Sequence, residues 1–252
     1  MSYIKKVLRF IPRVTNVIVA ELLYPFRKIK QTHTTKLGVK LSINDPVISR
    51  QVFREIVKEH YEAGENDCIR TTLEPDDIYV ELGCGVGFNS ITAQKISKNK
   101  VVAFEANPKL ISLIKKNMAL NHIAFDVHNE IVVSNDFDKN EIDFFIKDDH
   151  RESSIFSEID GKPAKIKVIK LNDLIKKYNP TYFCVDIEGG EVEIFKDVSF
   201  LKNSNIKKIA LEFHPSITGE KVISDIVRRI LNEGFYFICD DFNKNFFYFI
   251  RL

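Results

Sequence analysis

The sequence predicts an α/β fold built on a mostly parallel, doubly wound sheet that ends in an antiparallel hairpin. Between residues 78 and 233, short apolar runs alternate with amphipathic segments of helical spacing, which is typical of parallel βαβ units. Two aromatic runs follow, at residues 235–239 and 246–250, with polar residues between them. Such a pair forms a hairpin most naturally at the edge of a sheet. A chain of 252 residues is long enough for one large domain of this kind.

The predicted elements follow in order without an internal repeat or a low-complexity tract. Asp45 followed by Pro46 predicts a helix over residues 46–61, because Asp caps a helix and Pro fits its first turn. Residues 63–67 are interpreted as a polar connection. Strands are predicted at residues 78–82, 101–104, 125–133, 142–146, 165–169, 182–186 and 206–213. Helices are predicted at residues 88–97, 109–120, 171–178 and 219–233.

The composition narrows the class of protein. The formal net charge is +2, which leaves no strong field around the whole protein, so no nucleic-acid partner is predicted. The cysteines lie far apart and form no CxxC pair, which argues against a zinc site and against a disulfide-stapled secreted fold. They are Cys68, Cys84, Cys184 and Cys239. Reduced thiols of this kind indicate a cytoplasmic enzyme.

The chain begins with a basic segment. Residues 1–40 contain nine Lys and Arg but one acid, Glu21, and apolar residues recur among them at helical spacing. Arg9, Arg13 and Glu21 interrupt the apolar run, so it falls short of the ~18 residues that a membrane-spanning helix needs. No small-residue cleavage site follows a clean apolar core, so no signal peptide is predicted.

We predict that this basic, helical extension covers residues 1–60 and that the main domain covers residues 61–252. Two roles remain open for the extension. A basic amphipathic helix can lie on an anionic membrane surface, which would place the protein peripherally on the inner face of the membrane. Alternatively, the helix packs on the main domain or on a second subunit of a homo-oligomer and exposes its basic face to water.

A glycine-rich loop joins the strand predicted at residues 78–82 to the next helix. Its glycines let the backbone turn sharply and approach a ligand, and the helix presents free N–H groups. The GxGxG spacing differs from a dinucleotide fingerprint, whose third glycine would stand at Phe88, and no P-loop occurs. Glu105 ends the next strand, as expected for a carboxylate that accepts both hydroxyls of a ribose. The candidate cofactor-binding residues are Glu81, Gly83, Cys84, Gly85, Gly87, Phe88, Asn89, Glu105 and Ala106.

Several motifs resemble those of the FkbM-type family of S-adenosylmethionine-dependent methyltransferases. They lie within residues 78–215 and are VELGCGVGFNS (80–90), VAFEANP (102–108), NMALN (117–121), IKLNDLI (169–175), VDIEGGE (185–191) and ALEFH (210–214). The resemblance implies a class I, Rossmann-like methyltransferase fold and S-adenosylmethionine as cofactor. It also implies O-methylation of a sugar, a glycan precursor of polysaccharide biosynthesis or a related small molecule. Cys184 stands where the family commonly has Lys, so the acceptor is expected to be atypical.

Three residues are candidates for the acceptor site. Asp186 and Glu188 follow the strand at residues 182–186 and share a face of an extended chain, and His214 ends the next strand. A hydroxyl acceptor must lose its proton, and either Asp186 or His214 is the predicted base, with Glu188 fixing the acceptor or the cofactor amine. Alternatively, the two acids cap the following helix. The three residues could also hold a divalent cation, although no metal is predicted.

Other readings of the whole chain remain open. A loop around residues 150–154 suits a cover over the acceptor site, and a solvated loop suits it equally. A nicotinamide-dependent Rossmann enzyme is the rival from another class, and Phe88 in place of a third glycine argues against it. A methyltransferase fold that serves only as an inactive binding subunit is the non-enzymatic rival. The intact Glu81, Gly83, Gly85 and Glu105 argue against that reading.

Overall fold

The structure is a computed structural model that describes residues 20–28, 31–146, 164–238 and 246–252. Its strands are β1 (Thr32–Thr34), β2 (Lys40–Ser42), β3 (Tyr79–Leu82), β4 (Val101–Phe104), β5 (Asp126–His128), β6 (Glu130–Val133), β7 (Glu141–Phe144), β8 (Ala164–Lys170), β9 (Tyr182–Val185), β10 (Lys208–Glu212), β11 (Tyr236–Ile238) and β12 (Phe246–Ile250). Its helices are α1 (Arg50–Val57), α2 (Ala63–Thr72), α3 (Phe88–Ile96), α4 (Pro108–Leu120), α5 (Leu171–Tyr178), α6 (Glu191–Phe195), α7 (Ser199–Lys202), α8 (Pro215–Thr218) and α9 (Glu220–Asn232). A 3-10 turn covers Tyr24–Lys28.

A seven-stranded sheet runs in the order β11-β12-β10-β9-β3-β4-β5. The neighbours from β10 to β5 pair in parallel, whereas β12 pairs antiparallel with both β10 and β11. The predicted α/β fold, with a mostly parallel sheet and a C-terminal antiparallel pair at its edge, is confirmed. Residues 239–245, which connect the pair, lie outside the described residues.

Two apolar clusters cover the two faces of this sheet. On one face, Phe183 and Phe195 are buried among side chains of α5, α6, α7 and α9. On the other face, Ile91 and Leu113 are buried among side chains of α1, α3 and α4. Strands β3, β4 and β9 are buried along their whole length, because helices cover both of their faces. Burial on both faces also explains why β4 and β9 are continuous apolar runs in the sequence and why β3 is apolar except for Glu81.

The order of the strands reverses between β3 and β9. The chain runs from β3 outward to β4 and β5, and then returns to add β9 and β10 on the other side of β3. Leu82 at the end of β3 pairs with Val185 at the end of β9, so the loops that follow these strands diverge from adjacent points. A crevice at such a reversal is the usual ligand site of an open α/β sheet.

The strand predicted over residues 125–133 is two strands. β5 joins the main sheet, whereas β6 belongs to a second sheet of order β6-β8-β7. Asn129 lies between them and donates its side-chain N–H groups to the carbonyl oxygens of Glu105 and Ala106, at 2.8 and 2.9 Å. These bonds hold the chain at the end of β4, so the two strands diverge there. The extra strand predicted at residues 142–146 is β7, which begins one residue earlier, at Glu141, and ends at Phe144.

Two predictions between residues 45 and 72 are corrected. The helix predicted from residue 46 begins only at Arg50, because the Ser49 side chain caps it and accepts the N–H of Val52. Asp45 instead accepts the N–H of Val47 at 3.1 Å. The polar connection at residues 63–67 is the first part of α2.

Residues 20–60 are only partly helical. The antiparallel pair β1–β2 lies within them, and β2 packs on α4, where Ser42 donates its backbone N–H to the side chain of Asn117 at 2.8 Å. Val39 and Leu41 are buried in the same cluster as α1, α3 and α4. Residues 1–19, which carry most of the predicted amphipathic helix, lie outside the described residues, so its membrane or oligomer role stays a prediction. Within the described ranges, no helix is long and apolar enough to cross a bilayer.

Candidate active site

A cleft opens where β3, β4 and β9 end. The space between its walls is about 940 Å³, including the part open to solvent. Its apolar wall comes mainly from β6, with Phe144 of β7. Six of the residues predicted from the sequence line it: Gly83, Gly85, Glu105, Ala106, Asp186 and Glu188. The candidate cofactor and acceptor sites are therefore two ends of one cleft.

The glycine loop passes very close to the loop after β9. Gly83, Gly85 and Gly87 all have positive φ, at 81°, 51° and 82°. A Cβ at residue 83 would lie 1.7 Å from the carbonyl oxygen of Asp186, so no side chain fits there. The glycine at this position lets the two loops meet and brings Asp186 to the cleft.

Glu105 is held at the end of β4 by backbone N–H groups. Its Oε2 accepts the N–H of Gly85 at 2.9 Å, and its Oε1 accepts the N–H of Asn107 at 2.7 Å. The residue is 7% exposed. Burial raises the pKa of the Glu105 carboxyl to about 7, although both backbone hydrogen bonds act in the opposite direction. A carboxylate fixed on the cleft wall in this way fits the hydroxyls of a ribose.

The other predicted cofactor residues are not among those that line the cleft, and their contact with a cofactor stays a prediction. Glu81 is buried and accepts a hydrogen bond from Ser90 Oγ, and burial raises its pKa to about 7. Cys84 is completely buried, which raises the pKa of its thiol. Gly87 is the N-cap of α3.

Phe88 and Asn89, at the start of α3, make contacts within the protein. The Phe88 ring packs on Tyr61, with ring centroids 6.5 Å apart. The Asn89 Oδ1 accepts a hydrogen bond from Asn66 of α2 at 3.0 Å. These contacts anchor the beginning of the helix that follows the glycine loop.

Four side chains converge at the ends of β9 and β10. Nε2 of His214 lies 3.6 Å from Oδ1 of Asp186 and 3.2 Å from Oε2 of Glu188. Nδ1 of His214 lies 3.2 Å from Oε1 of Glu191. The structure therefore brings the three predicted acceptor-site residues together and adds Glu191, to which the sequence analysis gave no role.

Glu191 connects His214 to the loop that follows β9. Its Oε1 also accepts the N–H of Ile187 at 2.9 Å, and its side chain is 0% exposed. The N-cap residue of α6 is Gly190, so neither Asp186 nor Glu188 occupies the N-cap position. A capping contact from either acid to the first turn of α6 stays a prediction. Glu188 has a φ of 52°, a left-handed conformation that is uncommon for a residue with a side chain.

The cluster carries a large excess of acids. Burial raises the pKa of Asp186 well above its ordinary value, and the negative charge of Glu188 adds to the effect. Burial raises the pKa of Glu212 to about 10, with further contributions from Asp186 and Glu65. Burial alone would lower the pKa of His214, but the hydrogen bond that its Nδ1 donates to Glu191 and the surrounding carboxylates raise the pKa to about 9.

Glu62 is a further cleft residue that the sequence analysis missed. It lines the cleft beside the glycine loop, and its Oε2 is buried without a hydrogen-bond partner in the part of the chain that the structure describes. Burial raises the pKa of Glu62, and the negative charge of Glu81 adds to the shift. The cover loop predicted around residues 150–154 lies outside the described residues.

Comparison with known proteins identifies the family. A family model described as Methyltransferase FkbM domain matches residues 84–238, which is more than half of the chain. No curated protein sequence matches. The family assignment therefore rests on the family model.

Solved structures overlap with this chain at low identity. Precorrin-6y C5,15-methyltransferase from Geobacter metallireducens has 14% identity and a TM-score of 0.42, over 75% of this chain and 86% of that one. A putative rRNA methylase from Clostridium thermocellum has 10% identity and a TM-score of 0.46, over 75% and 94%. Magnesium protoporphyrin IX methyltransferase from Synechocystis has 14% identity and a TM-score of 0.46, over 94% and 97%.

Proposed function

This chain belongs to the FkbM methyltransferase family, and we propose that it transfers the methyl group of S-adenosylmethionine to a hydroxyl oxygen of a sugar, a glycan precursor or a related small molecule. The observation that carries the proposal is the single cleft that joins Glu105 at one end to Asp186 at the other. Glu105 would accept hydrogen bonds from the ribose hydroxyls. The buried Oε2 of Glu62, which has no hydrogen-bond partner among the described residues, would accept one from the ammonium group of the cofactor.

Bound S-adenosylmethionine would supply a methyl group that its sulfonium already activates. The side chains of the cleft must then align the acceptor hydroxyl and take its proton. Asp186 and His214 are the two candidates for the proton acceptor, and Glu188 lies close enough to His214 to share in fixing the acceptor. In the tautomer with a proton on Nδ1, His214 donates to Glu191 and directs Nε2 toward Asp186 and Glu188.

The charge of the cleft supports an acceptor without phosphate groups. Among the described residues that line it, five are acids outside the ribose position, namely Glu62, Glu130, Asp186, Glu188 and Glu193, and none is Lys or Arg. Carboxyl groups at this density offer hydrogen bonds to hydroxyl groups, and the described lining holds no Lys or Arg that would pair with a phosphate. A neutral polyhydroxyl compound fits this lining.

A labelled-methyl assay tests the proposal. Extract fractions would be incubated with methyl-labelled S-adenosylmethionine and the protein, with Asp186→Asn as the inactive control, and mass spectrometry would locate the label. We expect an O-methylated product that carries hydroxyl groups and that the control does not form. Transfer to nitrogen or sulfur, or equal labelling by the control, would overturn the proposal.

A further inference from the structure

We propose that Asp186, Glu191 and His214 form a binding site for a divalent first-row cation that holds the acceptor hydroxyl; this inference rests on the proposed function. One ligand atom from each residue can be chosen so that all three atoms lie within 4.8 Å of one another. Two carboxylate oxygens and one imidazole nitrogen form a mixed donor set that suits Mn²⁺ or Zn²⁺ better than an all-oxygen site would.

Two unsatisfied oxygens point independently to a missing ligand. Within the described ranges, Oε2 of Glu191 is buried without a hydrogen-bond partner, on a side chain that is 0% exposed. Oδ1 of Asp186 likewise has no hydrogen-bond partner among the described residues, because Nε2 of His214 lies 3.6 Å away, beyond hydrogen-bond distance. A buried carboxylate oxygen without a partner is costly, and a cation would satisfy both.

The balance of charge around the three residues favours a cation. Three carboxyl groups, of Asp186, Glu188 and Glu191, each lie within 3.6 Å of a ring nitrogen of His214. Among the described contacts of these acids, one imidazole therefore faces three carboxyl groups. A divalent ion would offset the negative charge of the carboxylates that coordinate it.

The site lies where the acceptor is proposed to bind. Asp186 lines the cleft, whereas Glu191 and His214 are not among its lining residues, so a cation held by the three would meet the cleft on the side of Asp186. With three protein ligands it would keep positions for further oxygen ligands. A compound with two neighbouring hydroxyls could occupy them. The cation would lower the pKa of the bound hydroxyl, and Glu188 would take its proton. The oxygen would then form the new O–CH₃ bond as the S–CH₃ bond breaks, with the electron pair remaining on sulfur.

Mn²⁺ titration tests the site without an acceptor. Isothermal calorimetry and pulsed electron paramagnetic resonance would be run on the full chain, first freed of metal by chelation. We expect one Mn²⁺ per chain, with the signal of a directly coordinated imidazole nitrogen. Absence of saturable binding by Mn²⁺ and also by Zn²⁺, or binding without the nitrogen signal, would overturn the proposal.

Matched variants separate coordination from general attraction. Glu191→Gln should weaken Mn²⁺ binding by more than the roughly 10–100-fold that loss of an outer partner costs. Glu193→Gln removes a carboxylate from the same cleft but outside the three ligands, and it should leave the affinity nearly unchanged. Equal weakening by both variants would contradict a coordinated site.

S-adenosylhomocysteine would be titrated into the same samples, with thermal melts to verify folding. If it binds and neither Mn²⁺ nor Zn²⁺ does, the cation site is wrong and the methyltransferase proposal stands. If Mn²⁺ binds and S-adenosylhomocysteine does not, the cation site stands and the methyltransferase proposal is contradicted.

Discussion

A Cβ at residue 83 would lie 1.7 Å from the carbonyl oxygen of Asp186, so the glycine loop and the loop after β9 meet at Gly83. Gly83→Ala must push these loops apart, because both contacting atoms belong to backbone. We expect lower stability, weaker binding of S-adenosylhomocysteine and loss of turnover. Denaturant unfolding and calorimetry would measure the first two effects.

Gly38→Ala is the matched control for Gly83→Ala. Gly38 also has a positive φ, at 73°, but no atom lies within 4 Å of a Cβ built there. It should therefore show only the cost of a left-handed backbone, about 1–2 kcal/mol, with ligand affinity unchanged. If the two variants lose the same stability and both keep their affinity, the close approach is not needed for the site.

Glu105→Gln tests the ribose contact. The folded protein raises the pKa of Glu105 to about 7, above its ordinary value of 4.5. The stability that this group contributes is therefore fully present below about pH 4.5 and is lost as the pH rises through about 7. Relative to Glu105→Gln, the wild-type protein should become progressively less stable between pH 5 and pH 8, as measured by urea unfolding across that range.

Ligand affinity should respond in the opposite direction. The carboxylate form of Glu105 accepts ribose hydroxyls, so wild-type affinity for S-adenosylhomocysteine should fall as the pH drops below about 7. Glu105→Gln should bind roughly 10–150-fold more weakly at pH 8, the cost of a hydrogen bond to a charged group. An affinity of Glu105→Gln equal to that of the wild type would exclude Glu105 from the ribose site.

Asp186→Asn keeps the shape of the side chain and removes a proton acceptor. Turnover should fall by about 10²–10⁴-fold, the usual range for loss of a general base, with cofactor affinity nearly unchanged. Rates at saturating cofactor and calorimetry would separate the two. No loss of at least tenfold at either Asp186 or His214 would mean that the acceptor site lies elsewhere.

The turnover of His214→Asn would be compared with that of Asp186→Asn. If one residue takes the proton directly, only its variant should show the full loss. Full losses at both residues, with Mn²⁺ binding also lost, are the pattern expected of the cation site. Modest and equal losses with Mn²⁺ binding retained would assign both residues to acceptor positioning.

Lys208 forms a buried ion pair at the end of the sheet away from the cleft. At the start of β10 its Nζ donates to Asp77 at 2.7 Å and to Glu74 at 2.6 Å, and the Lys208 and Asp77 side chains are each 8% exposed. Lys208→Met leaves Asp77 buried without its cation, so stability should fall by about 3–5 kcal/mol. The site should keep its affinity for S-adenosylhomocysteine, because the pair lies at the end of the sheet away from the cleft.

Lys196→Met is the control for an exposed ion pair. Lys196 is paired with Asp136 and Glu193 at 2.8 and 3.0 Å but is 38% exposed, so water compensates its loss. Its effect in urea unfolding should be much smaller than that of Lys208→Met. Equal effects would mean that burial does not determine the strength of these pairs.

The main sheet could be predicted from the sequence because burial on both faces makes its strands apolar throughout. β4, α5 and β12 have the bounds that the apolar pattern predicted. α2 was missed, because its buried face includes Glu65 and Asn66, whose polarity resembles a loop in sequence. The pair β1–β2 was missed as well, since strands of three residues are too short to show alternation.

The candidate site could be predicted only in part. Parallel strands end at the same edge of a sheet, so the sequence could predict that Asp186 and His214 lie close together. Glu212 ends β10 and precedes His214 by two residues, and that spacing was the available signal for a shared face of an extended chain. Glu191 and Glu62 could not be found, because turns with left-handed residues at Glu188 and Glu62 place them, and sequence periodicity does not describe such turns.

The central claim is that the cleft between Glu105 and Asp186 binds S-adenosylmethionine. Calorimetric titration of the full chain with S-adenosylmethionine, S-adenosylhomocysteine, NAD and NADP tests it most directly. The account predicts one site per chain for each of the first two ligands, weakened in Glu105→Gln, and no binding of the nicotinamide cofactors. Tight binding of NAD or NADP without either sulfur compound would contradict it and would indicate a nicotinamide-dependent Rossmann enzyme instead.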